Sequence, residues 1–236
     1  MATNGYATRT GGPARAGEPR PARSAGTDAV GILEDREEIR RLQYCYGFFM
    51  DNRMFREMAD LFADRGAYME IGGRGRYEGK ERIHAFLLEV LGEGRWGLLQ
   101  DEVINHVQQQ LLITVDPDRQ RARARGHAQV QGNSPPGTPT FLLADGIYEN
   151  SYVREDGHWK IQGLTVTMTY YAAVQRERIT FPTAPPSVTL PPDRPSRPVV
   201  EALGRQFNPW HFRHPIGGYE LPVPVAGGRR TGRRRR

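Results

Sequence analysis

The chain has 236 residues, 38% hydrophobic and 25% charged, which suits one domain with extensions and excludes a wholly disordered chain. Its formal charge of +6 is local, because six arginines lie at Arg229, Arg230 and Arg233 to Arg236 and the body without the two ends is slightly acidic. A basic, nucleic-acid-binding domain surface is therefore excluded, no apolar run reaches the roughly 20 residues of a membrane span, and the single Cys45 excludes an intramolecular disulfide and fits a reducing cytoplasm.

Residues 1–30 are a Gly/Ala/Pro/Arg arm without the apolar centre of a secretory leader, and they read as disordered. Ile39, Leu42, Tyr46 and Phe49 then recur at helical spacing, with Glu34, Asp35, Glu37 and Glu38 expected in the first turns, where acids suit the helix dipole. Phe55, Met58, Leu61 and Phe62 mark a second short helix. Two short strands, 67–71 and 76–78, flank Gly72-Gly73-Arg74-Gly75. A third helix is expected from Lys80 to Leu91, with a buried stripe of Ile83, Phe86, Leu87 and Val90. A Gly-containing loop carrying Trp96 follows. Four long strands come next, at about 103–115, 121–131, 141–154 and 158–172, and Asp156-Gly157 is the clearest hairpin turn. Three helices before a meander of long strands give an α+β fold with helices on one face. The folded domain is expected over 31–174. A Pro-rich extension, 175–228, contains the aromatic stretch 207–212, which is expected to dock on the domain, over its pocket or on a neighbouring subunit. The tail 229–236 reads as a solvated Arg run, so nucleic acid is not an expected partner.

Several blocks carry a family resemblance. They are Glu37-Glu38-Ile39-Arg40-Arg41-Leu42 leading to Tyr46 and Asp51, then Ala59-Asp60-Leu61-Phe62-Ala63-Asp64, Tyr77-Glu78-Gly79-Lys80-Glu81-Arg82-Ile83, and the run from Gly146 to Ile161. From Leu33 to Ala172 the sequence resembles the SnoaL-like branch of the nuclear transport factor 2-like superfamily. That group includes scytalone dehydratase, bile-acid 7α-dehydratase and hexachlorocyclohexane dehydrochlorinase. The resemblance implies a cone-shaped α+β barrel, three N-terminal helices packed on a curved, mostly antiparallel sheet. It implies an aspartate near the end of the first helix that orients a histidine from the sheet, and by position these are Asp51 and His106. Tyr46 stands where bile-acid 7α-dehydratase also has a tyrosine.

Side-chain chemistry supports the same set. Histidine titrates near neutrality and can take and return a proton, and a carboxylate on its far nitrogen fixes the tautomer. A tyrosine hydroxyl can polarise a carbonyl or protonate a leaving hydroxyl. Asp51 could instead only shape the turn after the helix. Strict alternation puts His106, Gln108 and Gln110 on one strand face and Val107, Gln109 and Leu111 on the other, so the polar face meets either solvent or a polar pocket. His127 shares a face with Arg121, Arg123 and Arg125, a solvent pattern unless a bulge changes the register. Tyr148, Asn150 and Tyr152 share another face. The catalytic candidates are thus Asp51, His106 and Tyr46, and the substrate-binding candidates are Phe49, Trp96, Tyr148, Asn150 and His127. No metal-ligand spacing, P-loop or nucleophile elbow is present, so no metal and no cofactor are expected. Where some relatives use a last-strand arginine, residues 164–171 carry threonines and tyrosines, which favours a neutral substrate.

The resulting expectation is a cofactor-independent lyase or isomerase, dehydratase-like, acting on a small hydrophobic carbonyl, polyketide- or terpenoid-like compound. The alternative is a non-catalytic small-molecule-binding or assembly module on the same cone. A cytoplasmic homodimer or homotrimer is expected in either case.

Overall fold

Helix α1 (Ala29–Asp51) opens the computed structural model, which describes residues 28–133, 140–175 and 185–227. Residues 1–27, 134–139, 176–184 of the expected extension and 228–236 lie outside the described residues. Asp28 caps α1 by accepting the Gly31 N–H at 2.9 Å. This start is earlier than the pattern suggested, so the acids from Glu34 onward begin in the second turn rather than at the positive end. Asp35 is buried instead. Its carboxylate accepts the Trp159 indole N–H at 3.0 Å and Arg119 Nε at 2.6 Å, and it also pairs with Arg154. That ties α1 to the end of the sheet where the turns at 116–120 and 156–157 lie side by side.

Helix α2 (Phe55–Ala59) follows a tight turn, and Phe55, Met58, Leu61 and Phe62 are all buried in the core. Strands β1 (Tyr68–Ile71) and β2 (Arg76–Glu78) flank a single 3₁₀ turn at Gly72–Arg74. Helix α3 (Lys80–Ala85) runs on as a π turn over Phe86–Leu91, closed by Gly92 N–H donating to Leu87 C=O five residues back. The π turn widens the helical step. Val90, expected in the buried stripe, is therefore 53% exposed, while Ile83, Phe86 and Leu87 are buried as expected.

The long strands are β3 (Ile104–Val115), β4 (Arg121–Gly132), β5 (Thr140–Glu155) and β6 (His158–Gln175). Sheet order is β2-β1-β6-β5-β4-β3, antiparallel except for the β1–β6 pair. Asp156 and Gly157 both have positive φ, as a tight two-residue hairpin requires. The register shifts in β3 between Gln109 and Leu112, where Gln110 has φ 52°. This bulge bends the strand and resets its alternation. His106 and Gln108 consequently share the inner face with Leu111, Ile113 and Val115, not with Gln110. Two more register shifts, between Asp145 and Gly146 and between Ser151 and Tyr152, interrupt the regular pairing of β5 with β6. The sheet curls around α1 without closing, and the core fills the space between them.

The extension folds back over the helices. It forms the small pair β7 (Val199–Val200) and β8 (Arg205–Gln206), and its end makes a bridge between Val225 and Leu98. Trp210 packs edge-on to Phe48 and Phe49, and its indole N–H donates to Pro222 C=O at 2.9 Å. His214 is buried, stacked on Phe49 with ring centroids 5.5 Å apart. The docking place is thus the outer side of α1 and α2 on the chain's own domain. Among the described residues, none of the extension lines the cavity described below.

Candidate active site

The open end of the cone holds a cavity of about 320 Å³ between the end of α1, the β1–β2 turn and the inner face of the sheet. Small residues on the strands make the room: Ala128 on β4, and Ala144 and Gly146 on β5. Met50, Phe55, Val166 and Met168 supply apolar wall, and Arg74 and Tyr171 stand at the rim. The size lies at the lower end of small-molecule pockets.

Polar side chains enter this space beside Arg53, Arg74 and Tyr171. Tyr46, Tyr148 and His106 all line it. Asp51, the last residue of α1, lies behind His106. Its Oδ1 stands 3.0 Å from His106 Nδ1 and also accepts the His106 backbone N–H at 2.5 Å. Both side chains are mostly shielded, at 15% and 10% exposure. An ionised carboxylate can only accept, so Nδ1 carries the ring proton and Nε2 is left as the basic nitrogen. The Tyr46 and Tyr148 hydroxyls are 3.4 Å apart, and their rings meet edge to face. Burial first, then the neighbouring hydroxyl, pushes the Tyr46 pKa well above the usual phenol range. Burial also raises Tyr148, against the lowering effect of its hydrogen bonds with Tyr46 and Gln108. Both are therefore proton-bearing hydroxyls at neutral pH.

Residues 31–165 match the family model of the SnoaL-like domain. The chain belongs to this family. Its coordinates are similar to those of a hexachlorocyclohexane dehydrochlorinase, LinA type 2, at 23% identity and TM-score 0.56, covering 66% of this chain and 99% of that one. They are also similar to a nuclear transport factor 2-like protein with a cystatin-like fold from Novosphingobium aromaticivorans (22% identity, TM-score 0.50, 59% and 85% covered). A scytalone dehydratase-like protein from the same organism matches at 16% identity and TM-score 0.51, with 64% and 97% covered. These likenesses establish the cone-shaped fold. No curated relative matches the sequence.

Within this SnoaL-like domain, four expected wall residues stand elsewhere. Phe49 lies one residue off the Tyr46–Met50 line and turns to the other side of α1, where His214 and Trp210 cover it. Trp96 is held beside α2, its indole N–H donating to Glu57 Oε2 at 2.9 Å. Asn150 is on the same face as Tyr148 but two residues deeper, bonded to Gln43. His127 stays on the outer face, 39% exposed at its side chain, with Nδ1 3.4 Å from Asp145 Oδ2. The bulge that resets β3 lies opposite Gly126 and leaves the β4 alternation intact, so nothing turns His127 inward.

The sequence reading missed Arg53. It lines the cavity wall, but its guanidinium is engaged by Glu102, and its Nη1 donates to Leu91 C=O at 2.6 Å. Burial pulls its pKa down, while Glu102 opposes that pull. Its left-handed φ of 51°, two residues past the helix, was not legible from residue type. Arg74 on the β1–β2 turn is exposed and was read only as part of that turn. Among the described residues no group of three His, Cys, Asp or Glu side chains could hold a metal ion, and no helix is long and apolar enough to cross a membrane.

Proposed function

We propose that this domain is a cofactor-independent lyase or isomerase, dehydratase-like, acting on a small hydrophobic carbonyl compound of polyketide or terpenoid type. The observation that carries the reading is the Asp51–His106 contact at the wall of a cavity that also holds the Tyr46 hydroxyl. His106 Nε2 takes a proton from the carbon next to the carbonyl. The electron pair forms an enolate, whose oxygen is met by the tyrosine hydroxyl. In a dehydration the β-hydroxyl then leaves with the proton held by His106, giving water and an enone. In an isomerisation the proton returns at another carbon. Positioned acid-base catalysis of this kind is worth roughly 10²- to 10⁴-fold. The activities named for two structural neighbours, a dehydrochlorinase and a scytalone dehydratase-like protein, are eliminations as well.

A neutral substrate suits the apolar wall and the absence of an arginine on the described part of β6. Screening β-hydroxyketones for the absorbance of the enone product tests the reading. Turnover is expected to disappear in His106→Ala and Asp51→Asn with the circular dichroism spectrum retained. Full turnover in either variant contradicts the mechanism.

One observation favours the second reading, a non-catalytic binding or assembly module. Asp51 also accepts the His106 backbone N–H, so it fastens the helix end to the strand start whether or not chemistry follows. On that reading Asp51→Asn lowers the melting temperature, and ligands bind without conversion. A homodimer or homotrimer through the outer sheet face, where Leu112 is 73% exposed, belongs to either reading and is tested by sedimentation.

A further inference from the structure

Arg53 keeps one branch of its guanidinium unclaimed by the protein. Nε is engaged by Glu102, and Nη1 donates to Leu91 C=O at 2.6 Å. Nη2 has no hydrogen-bond partner among the described residues. The residue is only 6% exposed, yet no buried side-chain nitrogen among the described residues lacks a partner, so Nη2 borders open space. That space is the cavity. Arg53 is one of its wall residues, as are Leu91, which takes Nη1, and Phe55, whose ring centroid lies 5.9 Å from the guanidinium carbon. The placement is enforced from several sides. The left-handed backbone is held by the Arg53 N–H donating to Met50 C=O at 3.0 Å and by the Gly97 N–H donating to Arg53 C=O at 3.1 Å. The loop carrying Gly97 and Glu102 is clamped in turn by the extension: the Leu98 N–H donates to Pro224 C=O at 2.8 Å, and Arg205 Nη1 donates to Glu102 C=O at 2.5 Å.

Charge and position together define what this donor suits. Arg53 and Arg95 share the buried Glu102 carboxylate, and Glu93 adds a second negative charge near Arg53. The group is therefore balanced, a fixed donor for an uncharged oxygen more than a trap for a free anion. In the sheet register His106 stands opposite Val130, which stands opposite Ala144; Tyr148 lies further along β5 to one side of this row, and Ile104 lies to the other. Ile104 and His106 line the cavity, and Glu102 precedes both on the chain. The tyrosine hydroxyls and the Arg53 guanidinium are thus donors on opposite sides of the His106 base. We infer that Arg53 is a specificity-determining residue of this cavity, donating through Nη2 to a second carbonyl or hydroxyl oxygen of the ligand, so that the substrate class carries two oxygen functions. This deepens the proposed carbonyl chemistry and rests on it for the reaction, whereas the contact itself is read by binding. A ligand with a single oxygen leaves Nη2 facing apolar groups without the water it had before, and a site built to bond an oxygen discriminates against such an analogue.

Two uncharged ligands of closely similar shape separate this contact from general fit: 1,4-diacetylbenzene, which has a second carbonyl, and 4-ethylacetophenone, which has a methylene in its place. Titration of the full chain is expected to give the lower dissociation constant for the diketone. Arg53→Met fills much of the same space without a donor and leaves Glu102 with Arg95 and the Leu99 N–H. There the ratio of the two dissociation constants is expected to move about tenfold in favour of the ethyl compound, the worth of one hydrogen bond from a charged donor. Should Arg53→Met fail to fold, nitrogen-15 NMR of the wild-type guanidinium, assigned through its contact with Phe55, reads the same contact. The Arg53 signals are expected to move with the diketone and not with the ethyl compound. Arg74→Ala, at the rim, is expected to leave the ratio unchanged. A wild-type chain without preference for the diketone, equal weakening of both ligands in Arg53→Met, or guanidinium signals blind to the diketone overturns the inference. So does a ratio that collapses in Arg74→Ala, which would seat the second carbonyl at the rim. A protein that meets these expectations yet exchanges no proton next to the ketone keeps Arg53 as a binding residue and loses the lyase reading.

Discussion

His214 holds the extension to the domain in one protonation state, and acid is expected to loosen that hold. The ring is 1% exposed, stacked between Phe49 at 5.5 Å and Tyr219 at 4.7 Å. Its Nε2 donates to Glu57 C=O at 2.9 Å, and its Nδ1 accepts the Gly217 and Ile216 N–H groups at 2.9 and 3.3 Å. Protonating Nδ1 would face a new donor with two existing donors. Burial lowers the His214 pKa from its ordinary value. The Glu57 carbonyl and the Asp60 and Glu57 carboxylates oppose that lowering, and Lys80 adds to it. The undocked segment therefore binds the proton first. Docking is at full strength above about pH 6.5 and weakens as the pH falls through that value, by up to about 1.4 kcal/mol per unit until the lower folded pKa is reached. His214→Phe keeps the stacks but forfeits the hydrogen bonds, about 1 kcal/mol each, and abolishes this pH dependence. Amide and imidazole nitrogen NMR during an acid titration reads the outcome. The Gly217 and Ile216 amides are expected to lose their bonded shifts together as His214 protonates. A His214 midpoint at or above about 6.5, or a segment equally acid-sensitive in His214→Phe, would refute the reasoning.

Three further outcomes are expected. Glu102→Ala strands the buried Arg53 and the neighbouring Arg95 without their carboxylate, so unfolding titrations should show a loss of about 3–5 kcal/mol. Asp35 has a lowered pKa because the bonds from Arg119 and Trp159 and the Arg154 charge outweigh burial, so its contribution is present above the ordinary carboxylate range of about pH 4 and lost as the pH falls below it. Asp35→Asn should thus lower the melting temperature at neutral pH and flatten the acid limb of the stability curve. Ala144→Leu puts a branched side chain on the cavity floor; acetophenone affinity should fall about tenfold or more, measured by titration, with the melting temperature changed by only a few degrees.

The order of helices and strands is legible in the sequence because periodicity of 3.6 and 2 reports which side of each element is buried. The Asp156-Gly157 turn is equally plain, since its residues suit positive φ. What local pattern cannot report is a change of period within an element. The π turn after Ala85 exposed Val90, and the bulge at Gln110 moved Leu111 to the inner face beside Gln108. The pairing of Asp51 with His106 was reached by resemblance and joins residues 55 apart in sequence. Phe49 and Trp96 were expected among the substrate-binding residues, yet large aromatic side chains serve any buried contact. Here the contacts are the extension and α2, and both depend on long-range packing. Asp35 was read as a helix-dipole acid because its partners, Arg119, Arg154 and Trp159, are more than eighty residues away. The cavity floor of Ala128, Ala144 and Gly146 joins small residues of two strands that only the sheet pairing brings together.

The central claim is that His106, oriented by Asp51, removes a proton from the carbon next to a carbonyl held in this cavity. Proton exchange at the methyl group of acetophenone in deuterated water, followed by NMR, tests that step without knowledge of the natural substrate. The full chain is expected to accelerate exchange over buffer, with roughly a 10²- to 10⁴-fold loss in His106→Ala and a large loss in Asp51→Asn. Exchange no faster than buffer while the ketone is demonstrably bound, or undiminished exchange in His106→Ala, would contradict it.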